Sequence, residues 1–343
     1  MQASATLMLL IAACADDAPY PPPAETLRAG AVSELGAADA VAAGDVDGDG
    51  RDSIVRVSDG VAHWDALSAT LGGRVQAVAR GDIDGDGREE ILIATGMGRG
   101  ARDAPARLHA LDDQGASVLW EQAGERAQVT DLAVVDGRIW LAAFVDRWNV
   151  QAGWVEAGAL ESLGPVRMGM QQRPLRGGGV VIGRLYGEAA RSDGDLRIRD
   201  ADAERTLPSH RGVRALAVVD LGGPAGPELL VGDGWHHKYG TEGDPRVSLY
   251  SGAELRERRT IAWLDGDYAA RAFEVLGQGD DARVLVTGAR SVALLQRDGL
   301  GWALAPVGVV AETGNAVLVR DGDAISVAMS GDPARRIALV GTP

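Results

Sequence analysis

A nine-residue acidic loop, DIDGDGREE from position 82, carries the clearest chemical signal in the chain. Its carboxylates recur at alternate positions, and the glycine after the third aspartate permits a sharp turn of the backbone. Ca²⁺ takes six to eight hard oxygen ligands, which such an alternation directs toward one centre. The candidate ligands are the carboxylates of Asp82, Asp84, Asp86 and Glu90 and the backbone carbonyl of Arg88.

A near copy, DVDGDGRDS, lies 37 residues earlier (82 − 45). Its candidate ligands are the carboxylates of Asp45, Asp47 and Asp49 and the carbonyl of Arg51. The ninth position holds Ser53 instead of a carboxylate, and Asp52 points to the other side of an extended chain. We therefore expect this loop to bind Ca²⁺ more weakly than the later one.

Two alternatives to this kind of calcium site exist for these loops. Asp and Gly also favour plain turns, so each loop could be an acidic turn without an ion. An EF-hand requires a Glu at the twelfth position between two helices, whereas position twelve is Ile93 and the flanks are β-rich. The corresponding turns at Asp220 and Asp280 keep too few carboxylates, and we expect no metal there. An ion enclosed by carboxylates and carbonyls is expected to be structural.

The loops belong to a repeat that extends over most of the chain. Apolar triplets precede acidic or glycine turns at Val41, Val78, Leu132, Leu216, Phe273 and Val317, with a weaker start at Pro174. This spacing gives seven units of roughly 40 to 55 residues, a period typical of solenoids and propellers. Each unit has room for about four short strands, which favours a propeller blade. The predicted fold class is therefore all-β, a seven-bladed β-propeller with four-stranded antiparallel blades.

The two ends of the repeat predict how the ring closes. The last unit has room for three strands, at 316–320, 324–328 and 336–340, while ETLRAGAVSEL at 25–35 precedes the first unit and belongs to no blade. Because a ring must remove its open strand edges, we expect this N-terminal segment to be the outer strand of the seventh blade. Residues 25–343 then form a single domain.

The amino-acid composition agrees with this fold and limits the classes of partner. The 343 residues include 47 glycines and only 4% aromatics, which suits many short strands and tight turns. The formal net charge of −15 argues against nucleic acid as a partner, because phosphates are bound by Lys and Arg. Acidity of this kind suits a soluble surface or the binding of cations.

The first 24 residues predict export and anchoring. The run LMLLIAA is too short to span a bilayer and is typical of a signal peptide, although MQASAT has no basic residue. The sequence IAAC resembles the lipobox of bacterial lipoproteins, with Cys14 as the lipidated residue, so residues 1–14 are a predicted signal segment. Residues 15–24 form a Pro-rich tether. We expect a membrane-anchored lipoprotein of the cell envelope or a secreted protein. The alternative is an incidental cysteine in a tail.

The two loops with their following strands, GDVDGDGRDSIVRV and GDIDGDGREEILIATG, resemble the FG-GAP repeats, also called VCBS repeats. These repeats occur in integrin α-subunit propellers and in many secreted bacterial proteins. The similarity is strong over the first two units and degenerate at LAVVDLGGPAGPELLVGDG. It implies a seven-bladed propeller with structural Ca²⁺ at one or two sites, in loops joining the first and second strands of a blade. It does not imply a ligand, because one scaffold hosts many functions.

A binding face is predicted from the connections between the second and third strands of each unit. These are short in units one, six and seven but long in units two to five, and binding residues concentrate on such loops. Aromatic side chains with polar groups nearby suit a glycan, peptide or protein surface. The candidate ligand-binding residues are Arg99, Arg147, Trp148, Tyr186, Trp235, His236, His237, Lys238 and Tyr239.

The leading functional interpretation is a non-enzymatic, calcium-stabilised propeller outside the cytoplasm. We expect it to bind a glycan, peptide or partner protein through the long loops, on the face opposite the metal sites. The sequence contains no nucleophile elbow, zinc motif or phosphate loop. One alternative is a polysaccharide lyase or hydrolase that uses His236 or His237 as base, with Lys238 or Arg147 stabilising an anion. Another is a structural envelope scaffold without a ligand.

Overall fold

The computed structural model describes residues 26–97, 105–123, 127–146, 149–167, 169–175, 179–184, 196–199, 203–207, 209, 212–222, 226–236, 240–252, 255–262, 270–279, 282–298, 301–310 and 314–342. In these ranges the chain is almost entirely β-structure, arranged as seven four-stranded antiparallel sheets. The predicted seven-bladed β-propeller is confirmed.

Each blade follows chain order from a central channel outward, except the last. Blade one contains β2 (Ala40–Gly44), β3 (Ser53–Ser58), β4 (Val61–Trp64) and β5 (Leu67–Thr70). Blade two contains β6 (Arg74–Gly81), β7 (Glu90–Gly96), β8 (Ala106–Leu111) and β9 (Ala116–Gln122). Blade three contains β10 (Val129–Val135), β11 (Arg138–Phe144), β12 (Asn149–Glu156) and β13 (Ala159–Arg167).

The remaining blades repeat this arrangement. Blade four contains β14 (Gly169–Pro174), β15 (Val180–Arg184), β16 (Leu196–Arg199) and β17 (Glu204–Leu207). Blade five contains β18 (Ala215–Val219), β19 (Glu228–His236), β20 (Gly240–Ser251) and β21 (Glu257–Ala262). Blade six contains β22 (Ala270–Leu276), β23 (Arg283–Gly288), β24 (Ser291–Asp298) and β25 (Gly301–Val309). Blade seven contains β26 (Ala316–Asp321), β27 (Ala324–Met329), β28 (Gly331–Thr342) and β1 (Thr26–Ala38).

Strand β1 closes the ring as predicted, because it pairs with β28 as the outer strand of blade seven. The antiparallel register runs from Thr26 opposite Thr342 to Ala38 opposite Gly331. A side chain of blade six adds a second attachment: Gln296 accepts from the Leu27 amide at 3.0 Å and donates to the Leu27 carbonyl at 2.5 Å. The N-terminal segment is thus held by two neighbouring blades.

The hydrophobic core is divided among the blade–blade interfaces. Strand β7 shows why the second strand of a blade is a continuous apolar run. Ile91 and Ile93 pack toward blade one, whereas Leu92 and Ala94 pack toward blade three, and all four are fully buried. Because side chains alternate across a strand, a strand covered on both sides must be apolar at every position.

Two local features explain strand boundaries. Asp136 and Gly137 have positive φ (51° and 70°) and form the two-residue turn between β10 and β11, which matches the twist of a hairpin. The fourth repeat start, placed at Pro174 from sequence, is displaced, because β14 begins at Gly169 and ends at Pro174. Proline lacks an amide proton and therefore suits the end of a channel-side edge strand.

Strand directions define two faces. The acidic face is the end where first and second strands connect, including 45–52 and 82–89, and the opposite face is the end where second and third strands connect. The paired residues Thr26 and Thr342 lie at the acidic face, since Ala38 and Gly331 are at the other end of the same ladder. Among the described residues, none of the helices is long and apolar enough to cross a membrane.

Candidate functional site

Two acidic loops lie side by side on the acidic face. Residues 45–52 join β2 to β3, and residues 82–89 join β6 to β7, the connection that the repeat resemblance implies. Gly50 (φ 83°) and Gly87 (φ 89°) adopt left-handed backbone conformations that a side chain would strain. These glycines let each loop turn tightly enough for alternate aspartates to approach one another.

The three aspartates of each loop converge. In each loop, one carboxylate oxygen from every aspartate lies within 4.8 Å of the other two. Two oxygens that bind the same Ca²⁺ at 2.3–2.6 Å can be separated by at most about 5 Å, so the spacing fits one shared ion. The converging residues are Asp45, Asp47 and Asp49 in the first loop and Asp82, Asp84 and Asp86 in the second.

The two loops share one hydrogen-bond pattern. The first aspartate accepts from the amide of the sixth residue: Gly50 donates to Asp45 Oδ2, and Gly87 donates to Asp82 Oδ2, both at 3.0 Å. The third and fifth residues each accept from the amide two positions further on, at 2.8 to 3.2 Å. The repeat in sequence is therefore also a repeat in local structure.

Asp45 provides the observation that bears most directly on a cation. Its Oδ1 atom is buried and has no hydrogen-bond partner. A buried carboxylate oxygen without a partner is costly because it has lost its hydration. A cation among the three aspartates of the first loop would offset that cost, so the residues present fit Ca²⁺.

Glu90, the ninth residue of the second loop, has a different position from the aspartates. It is not in the converging group; its Oε2 accepts from the Ile83 amide at 2.9 Å, and burial raises the pKa of its carboxyl. In blade five, Glu228 accepts in the same way from the Leu221 amide at 3.0 Å. In both loops the glutamate at the ninth position thus binds the amide of the second residue, whether or not the loop has an aspartate triplet. Its predicted role as a ligand stays a prediction.

The arginines after the third aspartates differ between the loops. The Arg88 guanidinium pairs with Asp86, at 2.6 and 2.7 Å to Oδ2, and these hydrogen bonds lower the pKa of that exposed carboxyl. In the first loop, Arg51 lies instead 3.5 Å from Asp321 of blade seven. An ion in the second loop therefore competes with a guanidinium for Asp86.

The eighth residues of both loops are not members of the aspartate clusters and pair with arginines instead. The Asp52 side chain is fully buried and accepts from Arg80 Nη1 at 2.5 Å and from Arg320 Nε at 3.0 Å. Glu89 accepts from Arg320 Nη2 at 2.6 Å. Arg320 is on β26 of blade seven, so one guanidinium joins blades seven, one and two.

Arg80 extends this ionic network to blade six. Its side chain is 10% exposed, and Nη2 lies 3.1 Å from Glu274 Oε1 on β22. Glu274 Oε2 accepts from the Leu318 amide at 2.6 Å. Burial within the channel raises the pKa of Glu274 to about 7, against the lowering effect of Arg80. The network joins blades two and six, which are not neighbours in the ring.

The network lies beside a central cavity of about 1460 Å³, lined by the first strands of all seven blades. The channel is wide because many of the lining side chains are small, such as Ala42, Ala79, Ala133 and Ala217. Polar side chains satisfy the inner strand edges: Asn315 donates to the Val41 carbonyl at 2.6 Å and accepts from its amide at 2.9 Å. Backbone groups at the inner strand edges thus form hydrogen bonds with side chains of the adjacent blade.

Sequence reasoning missed this network. From the sequence alone, Asp52 is excluded as a ligand of the first loop, and Glu89 has no predicted role. The signal that was present is the repeat itself, since an acid occupies the eighth position of both loops and Arg80 and Arg320 each lie near the end of a first strand. Only the closed ring brings these repeat positions together.

The predicted ligand-binding face is described only in part. In blade five the predicted long loop is an extension of the β19–β20 hairpin, with Trp235 opposite Thr241 and His236 opposite Gly240. The connections in blades two to four are interrupted by undescribed ranges. The predicted residues Cys14, Arg99, Arg147, Trp148, Tyr186, His237, Lys238 and Tyr239 lie outside the described residues.

The structure thus brings together six of the predicted metal residues as two aspartate triplets, and it places Arg51, Arg88 and Glu90 beside them. The triplets have the donor chemistry and spacing of a Ca²⁺ site, with the ion-pair network on their channel side. In comparisons with known proteins, no family model and no curated protein matches this chain.

Proposed function

We propose that this chain is a calcium-stabilised propeller of the FG-GAP kind that acts outside the cytoplasm as a non-enzymatic binding scaffold. The observation that carries the proposal is the pair of matching loops, each with three aspartate oxygens within 4.8 Å. The buried, unpartnered Asp45 Oδ1 supports an ion in the first loop. Bound Ca²⁺ would cross-link each loop and stiffen the connection between two strands.

The residues that would hold the ions are those of the two triplets. Asp45, Asp47 and Asp49 with the Arg51 carbonyl would bind one ion, and Asp82, Asp84 and Asp86 with the Arg88 carbonyl the other. Glu90, whose Oε2 accepts from the Ile83 amide, would join the shell through Oε1 or after releasing that amide. Extracellular calcium modules bind with dissociation constants of about 10⁻⁴ to 10⁻³ M, which is the range we expect.

Calcium titration calorimetry of the full chain tests the metal part of the proposal. We expect two bound ions in the wild type and one in Asp84→Ala, because the variant loses a central ligand of the second loop. Asp220→Ala is the matched control, since its loop in blade five retains the glutamate-closed turn but has no aspartate triplet. Heat of binding that is absent, or unchanged in Asp84→Ala, counts against the proposal.

The binding part of the proposal concerns the opposite face. Because Thr26 lies at the acidic face, a lipid anchor at Cys14 with its tether would leave the opposite face directed away from the membrane. A glycan, peptide or protein partner would then meet the β19–β20 hairpin and the long connections of blades two to four. The anchor is checked by cell fractionation: Cys14→Ser should move the protein from membranes to the soluble fraction.

Trp235→Ala combined with Trp148→Ala tests the binding face. We expect the double variant to lose at least tenfold in affinity in a glycan-array screen or partner pull-down, because aromatic anchors dominate binding interfaces. Trp64→Phe is the control, since Trp64 is buried between blades. Unchanged binding together with turnover of a polysaccharide that His236→Ala abolishes would replace the scaffold proposal with an enzymatic one.

A further inference from the structure

We propose that the two acidic loops bind their ions cooperatively, and that Glu89 carries the coupling between them. This inference rests on the proposed calcium function and deepens it, because it assigns a regulatory role to a residue that ligates neither ion. Three sets of contacts between the loops support it.

The first contact joins Glu89 to the first ligand of the neighbouring loop. The Glu89 amide donates to the Asp45 carbonyl at 2.9 Å, and the Asp45 amide donates to Glu89 Oε2 at 3.2 Å. Glu89 itself lies between Arg88 and Glu90, the last two candidate ligands of its own loop. Fixing either loop around an ion therefore restricts the backbone groups that position the other.

The second contact is steric. Gly48 of the first loop lies against the Arg88 side chain, so closely that a Cβ at Gly48 would be 3.1 Å from Arg88 Cγ. A Cβ at Gly44 would be only 2.9 Å from Ile91 Cγ1. The first loop thus packs against the Arg88 side chain of the second, and the strand before the first loop packs against the strand after the second. We expect a change in the conformation of one loop to affect the other.

The third contact is Arg320, which binds the eighth residues of both loops. Its guanidinium is 3.0 Å from Asp52 Oδ1 and 2.6 Å from Glu89 Oε2. Asp52 directly follows Arg51, the last candidate ligand of the first loop, and its amide donates to the Arg320 carbonyl at 2.9 Å. One arginine of blade seven therefore restrains the ends of both loops at once.

Whether the coupling is positive or negative depends on which residues each ion has to fix when it binds. The first ion must fix residues 45 and 89 together, because they share two hydrogen bonds, and the second ion finds them already fixed. Repulsion between the ions acts in the opposite direction, but intervening carboxylates and salt screen it, with a Debye length of about 8 Å at physiological ionic strength. We expect positive cooperativity.

Blade five provides a natural comparison within the same chain. There the Asp220 carbonyl accepts from the Gly279 amide of blade six at 2.8 Å, so the backbone link between adjacent loops is kept. Gly279 has no side chain that could add the second hydrogen bond or bind an arginine. Among the described residues, the bond of the Glu89 carboxylate to the Asp45 amide and its pairing with Arg320 therefore have no counterpart at Asp220 and Gly279.

The experiment is calcium titration calorimetry of the full chain and of single-loop variants. Asp84→Ala disables the second loop, so it gives the association constant of the first loop alone. Asp47→Ala disables the first loop and gives the association constant of the second loop alone. For independent loops, the product of the two wild-type association constants equals the product of the two variant constants. We expect the wild-type product to be larger by about 5- to 150-fold, the usual range of coupling between sites.

Glu89→Ala alone should still bind two ions. When it is compared with its combinations with Asp84→Ala and with Asp47→Ala, the ratio of the two products should fall to about one. Glu89→Gln, which keeps the side-chain volume and one acceptor oxygen, should give an intermediate ratio, and circular dichroism confirms folding. Glu121→Ala, an exposed acid of the same blade, should leave the ratio unchanged. Two ions with a wild-type ratio near one, or a single bound ion, overturn the coupling. Absence of any calcium binding overturns the proposed function itself.

Discussion

At the scale of single residues, the charges beside the channel nearly balance. Arg80 and Arg320 face three carboxylates, those of Asp52, Glu89 and Glu274. The group has one net negative charge when all are ionised and becomes neutral when one carboxyl takes a proton. Burial raises the pKa of the Glu274 carboxyl to about 7, so we expect Glu274 to take up this proton as the pH falls through that value.

Replacing Glu274 with Gln tests this assignment. Because the folded-state pKa is raised above the usual 4.5, the folded chain holds the proton more tightly than the unfolded chain. The contribution of Glu274 to stability is therefore fully present below pH 4.5 and is lost as the pH rises through about 7. We expect the melting temperature of wild type minus that of Glu274→Gln to fall across this window and then stay constant. Glu121→Gln is the exposed control, and a flat difference for Glu274→Gln contradicts the assignment.

Replacing Arg88 with Ala tests the competition for Asp86. The variant keeps the backbone carbonyl but removes the guanidinium that pairs with Asp86. Because this ion pair is exposed, solvent screens it and it contributes little, so the calcium affinity of the second loop should rise by a small factor. Calorimetry in an Asp47→Ala background isolates this loop, with Arg107→Ala as a control on the same blade. Weaker binding in Arg88→Ala would show that the side chain supports the loop.

At the scale of strands, the ring depends on β1. Leu27 of this strand is 9% exposed and packs in the core shared by blades six and seven, whereas Val32 of the same strand is 58% exposed. We expect Leu27→Ala to lower the free energy of unfolding by about 2 to 5 kcal/mol and Val32→Ala to change it little. Urea denaturation measures both. Equal effects of the two substitutions would mean that β1 is not part of the closing core.

The strands were predictable where the repeat was explicit. Val41, Val78 and the apolar run at Ile91 identify channel-side and second strands because the neighbouring acidic loops fix their register. The start predicted at Pro174 is wrong for β14, which ends at that residue. Blade four has no acidic loop with which its strands could be aligned to the repeat. The aspartate triplets could be predicted from spacing alone, whereas the loop-closing bond of Glu90 and the turn of Glu89 toward Asp45 depend on the neighbouring blade, which a single repeat does not specify.

At the scale of the whole molecule, the aspartate loops and the paired strand ends Thr26 and Thr342 lie at the same face. Blades seven, one and two meet there through Arg320, Asp52 and Glu89, and the same blades contain the ring closure and both triplets. Calcium in these loops would therefore strengthen the part of the ring where the chain ends come together. Local stiffening of two loops would then appear as stability of the entire propeller.

Thermal melting with chelator and with 10 mM Ca²⁺ tests this account most directly. With dissociation constants of about 10⁻⁴ to 10⁻³ M, that concentration should stabilise the fold by about 1.4 to 2.7 kcal/mol per loop. We predict a melting temperature that rises by several degrees with Ca²⁺, less in Asp84→Ala than in Asp220→Ala. Identical melting of the wild type with chelator and with Ca²⁺ would contradict the claim that this propeller is stabilised by calcium.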